Sequence, residues 1–390
     1  EMLRSLVGSE MCIRDRFFLL LFGFVFFLLA PLQCIADTLE IQEQFESSGA
    51  AEVLNTAESE VFPSFDSKKI AADLSNGNGF DAGSIVKKIL SFFMGDLKQN
   101  LRMCAMITAA GFILGLFCTM QSAYGGKGVS ECGFIVGYCV FAGLLSAAFS
   151  SVISPAERMI ENVSLMINGT IPILLTLLTY GGSLVSASLF APVLITLANV
   201  LSSVIKGVIL PLILCSFALS VAANMSDRIS LSNTVLTVRK SVKWILLFLM
   251  AVFAGIFGVY GLSGSAIDAS AGKAARFAIG SGIPLVGGVA ADSLETVVAM
   301  LGATRSIIGT AGMCAVVAAA LSPIIKTAVL MWSFRLCCAV IEPFSDKRAV
   351  TLLNDAAECI SLIFSTLISV CLIFIGALGV LLLVGNYTAG

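Results

Sequence analysis

Long stretches without a charged residue limit what this chain can fold into more than any other feature. They cover residues 103–126, 132–156, 162–205, 207–226, 244–267, 306–325 and 359–390. About 20 apolar residues suffice for a helix to cross a bilayer, and such a segment must satisfy its own backbone hydrogen bonds. Only 12% of the 390 residues are Asp, Glu, Lys or Arg, about half the usual share in soluble domains. The sequence therefore predicts an all-α, polytopic membrane helical bundle and excludes a soluble globular fold.

We expect about eight transmembrane helices, within a range of about seven to nine, in a transmembrane domain that covers residues 103–386. The longest uncharged stretch holds two of them, because the turn sequence at residues 180–183 (YGGS) divides it. Pro323 either kinks the seventh span or separates it into two short helices. The predicted spans are 103–121, 132–153, 163–180, 184–205, 207–224, 244–266, 306–334 and 359–386.

Residues 267–305 do not have the pattern of an ordinary span, because glycines and Pro284 interrupt their small and apolar residues. Backbone of this kind must face protein or water rather than lipid. We therefore expect a re-entrant or interfacial helical hairpin at 267–305.

Four basic residues in segment 225–243 indicate the orientation of the chain. They are Arg228, Arg239, Lys240 and Lys243, against one acidic residue. Loops rich in Lys and Arg stay on the cytoplasmic side of a membrane. The segment is accordingly predicted to be a cytoplasmic loop.

The N-terminal part divides into four predicted segments. Residues 1–16 (EMLRSLVGSEMCIRDR) resemble a translated sequencing adapter and are interpreted as non-native. Residues 17–36 have the apolar run and small-residue end of a signal peptide, with cleavage after Ala36; an uncleaved first transmembrane helix is the alternative. Residues 37–83 form an acidic extracytoplasmic segment, and residues 84–102 an amphipathic interfacial helix.

The sequence contains few groups that could carry out chemistry. It has no histidine, which excludes histidine general bases, Ser-His-Asp triads and histidine metal sites. It also has no G-x-x-x-x-G-K-[ST] motif and no G-x-S-x-G motif, and its net charge of −2 gives no footprint for binding nucleic acid. Most of its 12 cysteines lie in the spans and are interpreted as core residues. We expect no enzyme activity, no catalytic or metal-ligating residue and no cofactor.

Glycines recur in the spans at intervals that let helices approach closely. Helix packing is one interpretation of these glycines, and a mobile or gating helix is the other. An ionisable residue inside a span is costly and is treated as a functional candidate; here that residue is Lys326, three positions after Pro323. The candidate packing or gating positions are Gly111, Gly115, Gly133, Gly137, Gly255, Gly258, Gly261 and Gly264.

Three groups of residues resemble the stage III sporulation protein AE family of endospore-forming bacteria. The first is the sequence NMSDR at 224–228, followed by VRKS at 238–241. The second is ARF at 275–277 with GIPLVG at 282–287 and AD at 291–292. The third is SPIIK at 322–326 with EPFSD at 342–346. The candidate family residues are Arg276, Gly282, Pro284, Gly287, Asp292, Pro343 and Asp346.

The resemblance implies a role that composition does not. Members of this family are polytopic components of a secretion-like channel complex in the mother-cell membrane around the forespore, needed for forespore development. Implied partners are the other stage III sporulation A-operon membrane proteins with their ATPase, stage II sporulation protein Q across the intermembrane space, and the lipid bilayer. The residues alone leave open an alternative, an autonomous small-solute permease, because Pro323, Lys326 and the interrupted segment 267–305 are similar to the broken helices of carriers.

Overall fold

A computed structural model describes residues 94, 95, 98, 100–117, 127–180, 184–225, 231–282 and 287–386. Within these ranges the side chains at 127–132, 184–191, 259–299, 383–386 and some positions between 303 and 318 are not described. The predicted segments 1–16, 17–36 with its cleavage site Ala36, and 37–83 lie outside the described residues, as does most of 84–102.

Every regular element in the described part of the chain is a helix, so the predicted all-α fold is confirmed. Six continuous helices in this part contain a segment long and apolar enough to cross a membrane. One of the six consists of Leu184–Val204, a short π-helix Ile205–Ile209 and Leu210–Met225, which follow one another without a break. The helices are α1 (Asn100–Phe117), α2 (Lys127–Tyr180), α3 (Leu184–Val204), α4 (Leu210–Met225), α5 (Ser232–Gly282), α6 (Gly287–Ile341) and α7 (Lys347–Asn386).

Helix α2 and the continuous helix α3–π–α4 form a long antiparallel hairpin. Three contacts along its length show which residues lie opposite each other. In each contact the two residue numbers add up to nearly the same value, as expected for two antiparallel helices. The Tyr138 hydroxyl donates to the carbonyl of Val221 at 2.7 Å, and the rings of Phe149 and Phe217 stack with centroids 4.5 Å apart. Farther along, Lys206 Nζ lies 3.2 Å from Glu161 Oε1. The hairpin closes where the sequence predicts a turn, between Tyr180 and Leu184.

The eight predicted spans fall on six continuous helices. Spans 132–153 and 163–180 both belong to α2, which continues through Pro155 and the charged residues after it. Spans 184–205 and 207–224 join through the π-helix, where the Lys206 side chain forms an ion pair with Glu161. A charge interrupts a run of hydropathy but leaves the backbone hydrogen bonds of a helix intact. Helix α6 likewise runs unbroken through Pro323, which excludes two separate short helices there.

Helix α7 occupies the centre of the bundle and packs against α2, α4, α5 and α6. Its residues are buried on nearly every side from Leu352 to Leu381, which is the pattern of a helix surrounded by other helices. Segment 267–305, predicted as a hairpin, is helical on both sides of residues 283–286. There it continues α5 and α6 and does not form a separate element.

The hydrogen bond from Tyr138 to Val221 gives a first prediction. Tyr138 is buried and its hydroxyl joins α2 to α4, so Tyr138→Phe should lower the free energy of unfolding by about 0.5–1.5 kcal/mol. Thermal unfolding of the detergent-solubilised chain measures this effect. Tyr180→Phe is the matched control, because that side chain is exposed and its loss should leave the midpoint unchanged. Equal midpoints for both variants would contradict the assigned bond.

Candidate functional site

A buried ion pair joins three helices near the end of the bundle where α4 ends and α5 and α7 begin. Arg239 on α5 and Asp355 on α7 are paired at 2.8 Å, and their side chains are 8% and 19% exposed. Helix α4 contributes Ser216, Ser220 and Asn224, which are four residues apart and so share one helix face. We call these five residues the arginine cluster.

The Arg239 guanidinium uses each of its nitrogens. Nη1 donates to Asp355 Oδ1 at 2.8 Å and Nε donates to Ser216 Oγ at 3.2 Å. Nη2 donates to Ser220 Oγ at 2.8 Å and to the Asp355 carbonyl at 3.2 Å. The other carboxylate oxygen, Asp355 Oδ2, accepts from Asn224 Nδ2 at 3.3 Å. The charges therefore compensate each other, and hydrogen bonds fix their geometry.

This arrangement is suited to holding helices together. A buried charge is tolerated when it is paired and hydrogen-bonded, and the arginine cluster meets both conditions. The fork of the guanidinium sets the relative positions of α4, α5 and α7. Among the described residues no group of three or more His, Cys, Asp or Glu side chains could hold a metal ion.

Sequence reasoning placed Arg239 in a loop at 225–243, whereas Arg239 lies in helix α5, which begins at Ser232. The cytoplasmic side of this segment stays a prediction. The signal that could have revealed the site is helical spacing. Val235, Arg239, Val242 and Leu246 follow one another at steps of four, three and four residues, and all four are buried. Arg239 thus occupies an apolar face, where an unpaired arginine would be costly.

The predicted glycine positions have different surroundings. A Cβ atom added at Gly111 would lie 2.9 Å from Ile341 Cδ1, and one at Gly115 would overlap the carbonyl oxygen of Phe344. One at Gly137 would make ordinary contact with Leu114, 3.5 Å away. At Gly133, Gly255 and Gly258 it would meet no atom within 4 Å. The side-chain surroundings of Gly261 and Gly264 lie outside the described part.

The two candidates inside the seventh predicted span lie on α6. Pro323 is half-buried, and its carbonyl accepts a hydrogen bond from Thr327 Oγ1 at 2.7 Å. Lys326 is exposed on the outside of the bundle. The structure therefore does not bring Lys326 together with the arginine cluster.

The family-motif residues lie around two turns. Asp346 caps α7, because its Oδ1 accepts from the backbone N–H of Arg348 at 2.9 Å, and Pro343 is exposed in the same turn. Gly282 ends α5 and Gly287 begins α6. Pro284 lies outside the described residues, as do the side chains of Arg276 and Asp292.

Several apolar helices around a central helix, joined by a buried ion pair, define a helical membrane protein of the polytopic class. Comparison with known proteins then gives the family. The family model described as stage III sporulation protein AE matches residues 65–385, and the chain belongs to this family. It is 26% identical over 319 residues to "Stage III sporulation protein AE" of Bacillus subtilis (strain 168), which covers 81% of this chain and 79% of that protein. No solved structure matches. The family predicted from the three residue groups is confirmed, and it supports a role in sporulation.

Proposed function

We propose that this chain is a non-enzymatic, multi-pass subunit of the channel complex in the mother-cell membrane around the forespore. Membership of the stage III sporulation protein AE family carries the proposal. The structure adds physical support, because the polar side chains of the arginine cluster form hydrogen bonds that connect α5 to α4 and α7. A subunit that serves as a packing platform needs this kind of fixed helix arrangement.

The proposed partners are the other stage III sporulation A-operon membrane proteins, their ATPase, and stage II sporulation protein Q across the intermembrane space. The sequence carries no nucleotide-binding motif of its own, so energy for transport would come from the separate ATPase. The proposed location is the mother-cell membrane that surrounds the forespore.

Co-purification tests this proposal. The tagged full-length chain, expressed with the rest of its operon, should leave a mild detergent extract as a complex with the other operon membrane proteins and the ATPase. An unrelated polytopic membrane protein with the same tag is the control for carry-over. Recovery of the chain without these proteins, under conditions in which they associate with one another, would count against the proposal.

The permease alternative makes a different prediction for the purified chain. It depends on Pro323, Lys326 and the interrupted segment 267–305, and the Lys326 side chain is exposed. Under our proposal, liposomes that contain the chain alone should take up small solutes no faster than empty liposomes. Uptake that disappears in Lys326→Ala would favour the permease.

A further inference from the structure

One exposed face of α5 changes from polar to apolar within about two helical turns. Lys240 is exposed, Trp244 is 72% exposed one turn later, and Leu247 and Phe248 are exposed on the next turn. Tryptophan is enriched at the level of the lipid headgroups, because its ring is apolar and its N–H is polar. This order of side chains is typical of a helix that enters the hydrocarbon at the level of its tryptophan.

The second tryptophan of the chain also lies near an exposed basic residue. Trp332 on α6 is 50% exposed and is three residues from Arg335, so the two side chains are neighbours on one helix face. The chain contains only two tryptophans; exposed Lys243 directly precedes Trp244 in α5, and exposed Arg335 follows Trp332 by three residues in α6.

The two cations meet at one carboxylate. Lys243 Nζ lies 3.9 Å from Glu358 Oε2, and Arg335 Nη2 lies 3.9 Å from Glu358 Oε1. All three side chains are between 38% and 50% exposed. These distances are longer than those of a tight charge-assisted hydrogen bond, about 2.7–2.9 Å. The three groups carry a net charge of +1, and exposed Lys240 lies one turn away on α5.

We propose that Lys243 and Arg335 bind the phosphate of an anionic phospholipid, in a headgroup site at the junction of α5, α6 and α7. The cations supply charge for the phosphate, and the guanidinium supplies paired N–H donors. Trp244 and Trp332 contact the glycerol and upper acyl region, while Leu247 and Phe248 face the chains. Basic pockets between transmembrane helices on the cytoplasmic side bind anionic headgroups in this way. The headgroup site is distinct from the arginine cluster, which lies one turn earlier on α5.

Native mass spectrometry of the full-length chain with added phosphatidylglycerol, cardiolipin or phosphatidylcholine tests the site. We expect bound phosphatidylglycerol or cardiolipin and little phosphatidylcholine. Each cation near an anionic surface contributes roughly a fivefold change in binding, so Lys243→Gln with Arg335→Gln should weaken binding by about 20- to 30-fold. Lys326→Gln is the matched control, because that lysine is exposed on α6 without an ion pair among the described residues; it should leave binding unchanged.

Glu358→Gln supplies a test with the opposite sign. Removing the carboxylate that competes with the phosphate should tighten lipid binding, whereas a site that depends on Glu358 for its shape should lose lipid. Inorganic phosphate at millimolar concentration should not displace the lipid, because it lacks the acyl chains. The proposal would be overturned if all three lipids bound equally, if the double substitution had no effect, or if inorganic phosphate displaced the lipid. It would also be overturned if an acidic protein segment occupied the site in place of lipid in the purified complex.

Discussion

Arg239→Leu is expected to lower the free energy of unfolding by about 3–5 kcal/mol, the usual cost of breaking a buried ion pair from one side. The substitution leaves the carboxylate of Asp355 buried without its cation and removes four hydrogen bonds. Reversible denaturation in mixed micelles of detergent and SDS measures the change. Asp355→Leu should show a loss of similar size, because it leaves the guanidinium buried without its anion.

The double substitution Arg239→Leu with Asp355→Leu separates a charge effect from a packing effect. Ser220 and Asn224 retain bonds to helix carbonyls at 2.9 and 2.8 Å, so an apolar pair leaves these two side chains satisfied. We expect the double variant to recover most of the lost stability. Lys206→Gln is the control for an exposed pair and should cost less than about 1 kcal/mol. A double variant as unstable as the two single losses combined would show that the pair does not act through its charges.

Gly115→Leu is the second substitution expected to have a large effect. A Cβ atom at this position overlaps the carbonyl oxygen of Phe344 and lies 2.9 Å from the carbonyl carbon of Phe344 and 3.0 Å from Ser345 Cα. These are backbone atoms, which cannot rotate away as a side chain can. Helix α1 should therefore separate from the turn between α6 and α7, with a cost of about 1–3 kcal/mol or more.

Oxidative cross-linking detects this separation directly. Cys337 Sγ lies 3.7 Å from the carbonyl oxygen of Cys104, so the two cysteines are close while α1 is docked. Peptide mass spectrometry should find the Cys104–Cys337 disulfide in the parent chain and lose it in Gly115→Leu. Gly133→Ala is the control, since its Cβ would meet no atom within 4 Å and cross-linking should persist. Equal cross-linking in parent and Gly115→Leu chains would show that α1 does not depend on this contact.

The sequence was sufficient for the membrane fold because that fold depends on local properties. Runs of uncharged residues predict helices in lipid, and the turn between Tyr180 and Leu184 follows from adjacent glycines. The continuity of α2 past Glu157 and Glu161 could not be read in the same way, since hydropathy registers these charges as an interruption. Whether such a charge ends a helix depends on a partner such as Lys206, which only the folded hairpin brings close.

The arginine cluster could not be predicted from the sequence for a related reason. Arg239 and Asp355 are 116 residues apart, and nothing in either local pattern identifies the other as its partner. Helical spacing places Arg239 on a buried face, but the compensating groups come from α4 and α7. The contact of Gly115 with the backbone of Phe344 has the same origin, because the spacing of Gly111 and Gly115 predicts close approach without naming what approaches.

The length of α2 has a mechanical consequence. At about 1.5 Å per residue, its 54 residues extend about 80 Å, whereas the hydrocarbon layer is about 30 Å thick. Fitting a straight rod of that length inside the layer needs an inclination of roughly 70°, beyond the range of about 0–40° seen for membrane helices. The run from Gly133 to Tyr180 is nevertheless predominantly apolar along its length, so a straight helix would leave part of this apolar surface outside the hydrocarbon. Prolines and π-helical turns are the usual sites of helix bending, so Pro155, Pro172 and the π-helix Ile205–Ile209 are the positions at which the hairpin can bend to keep its apolar surface within the lipid.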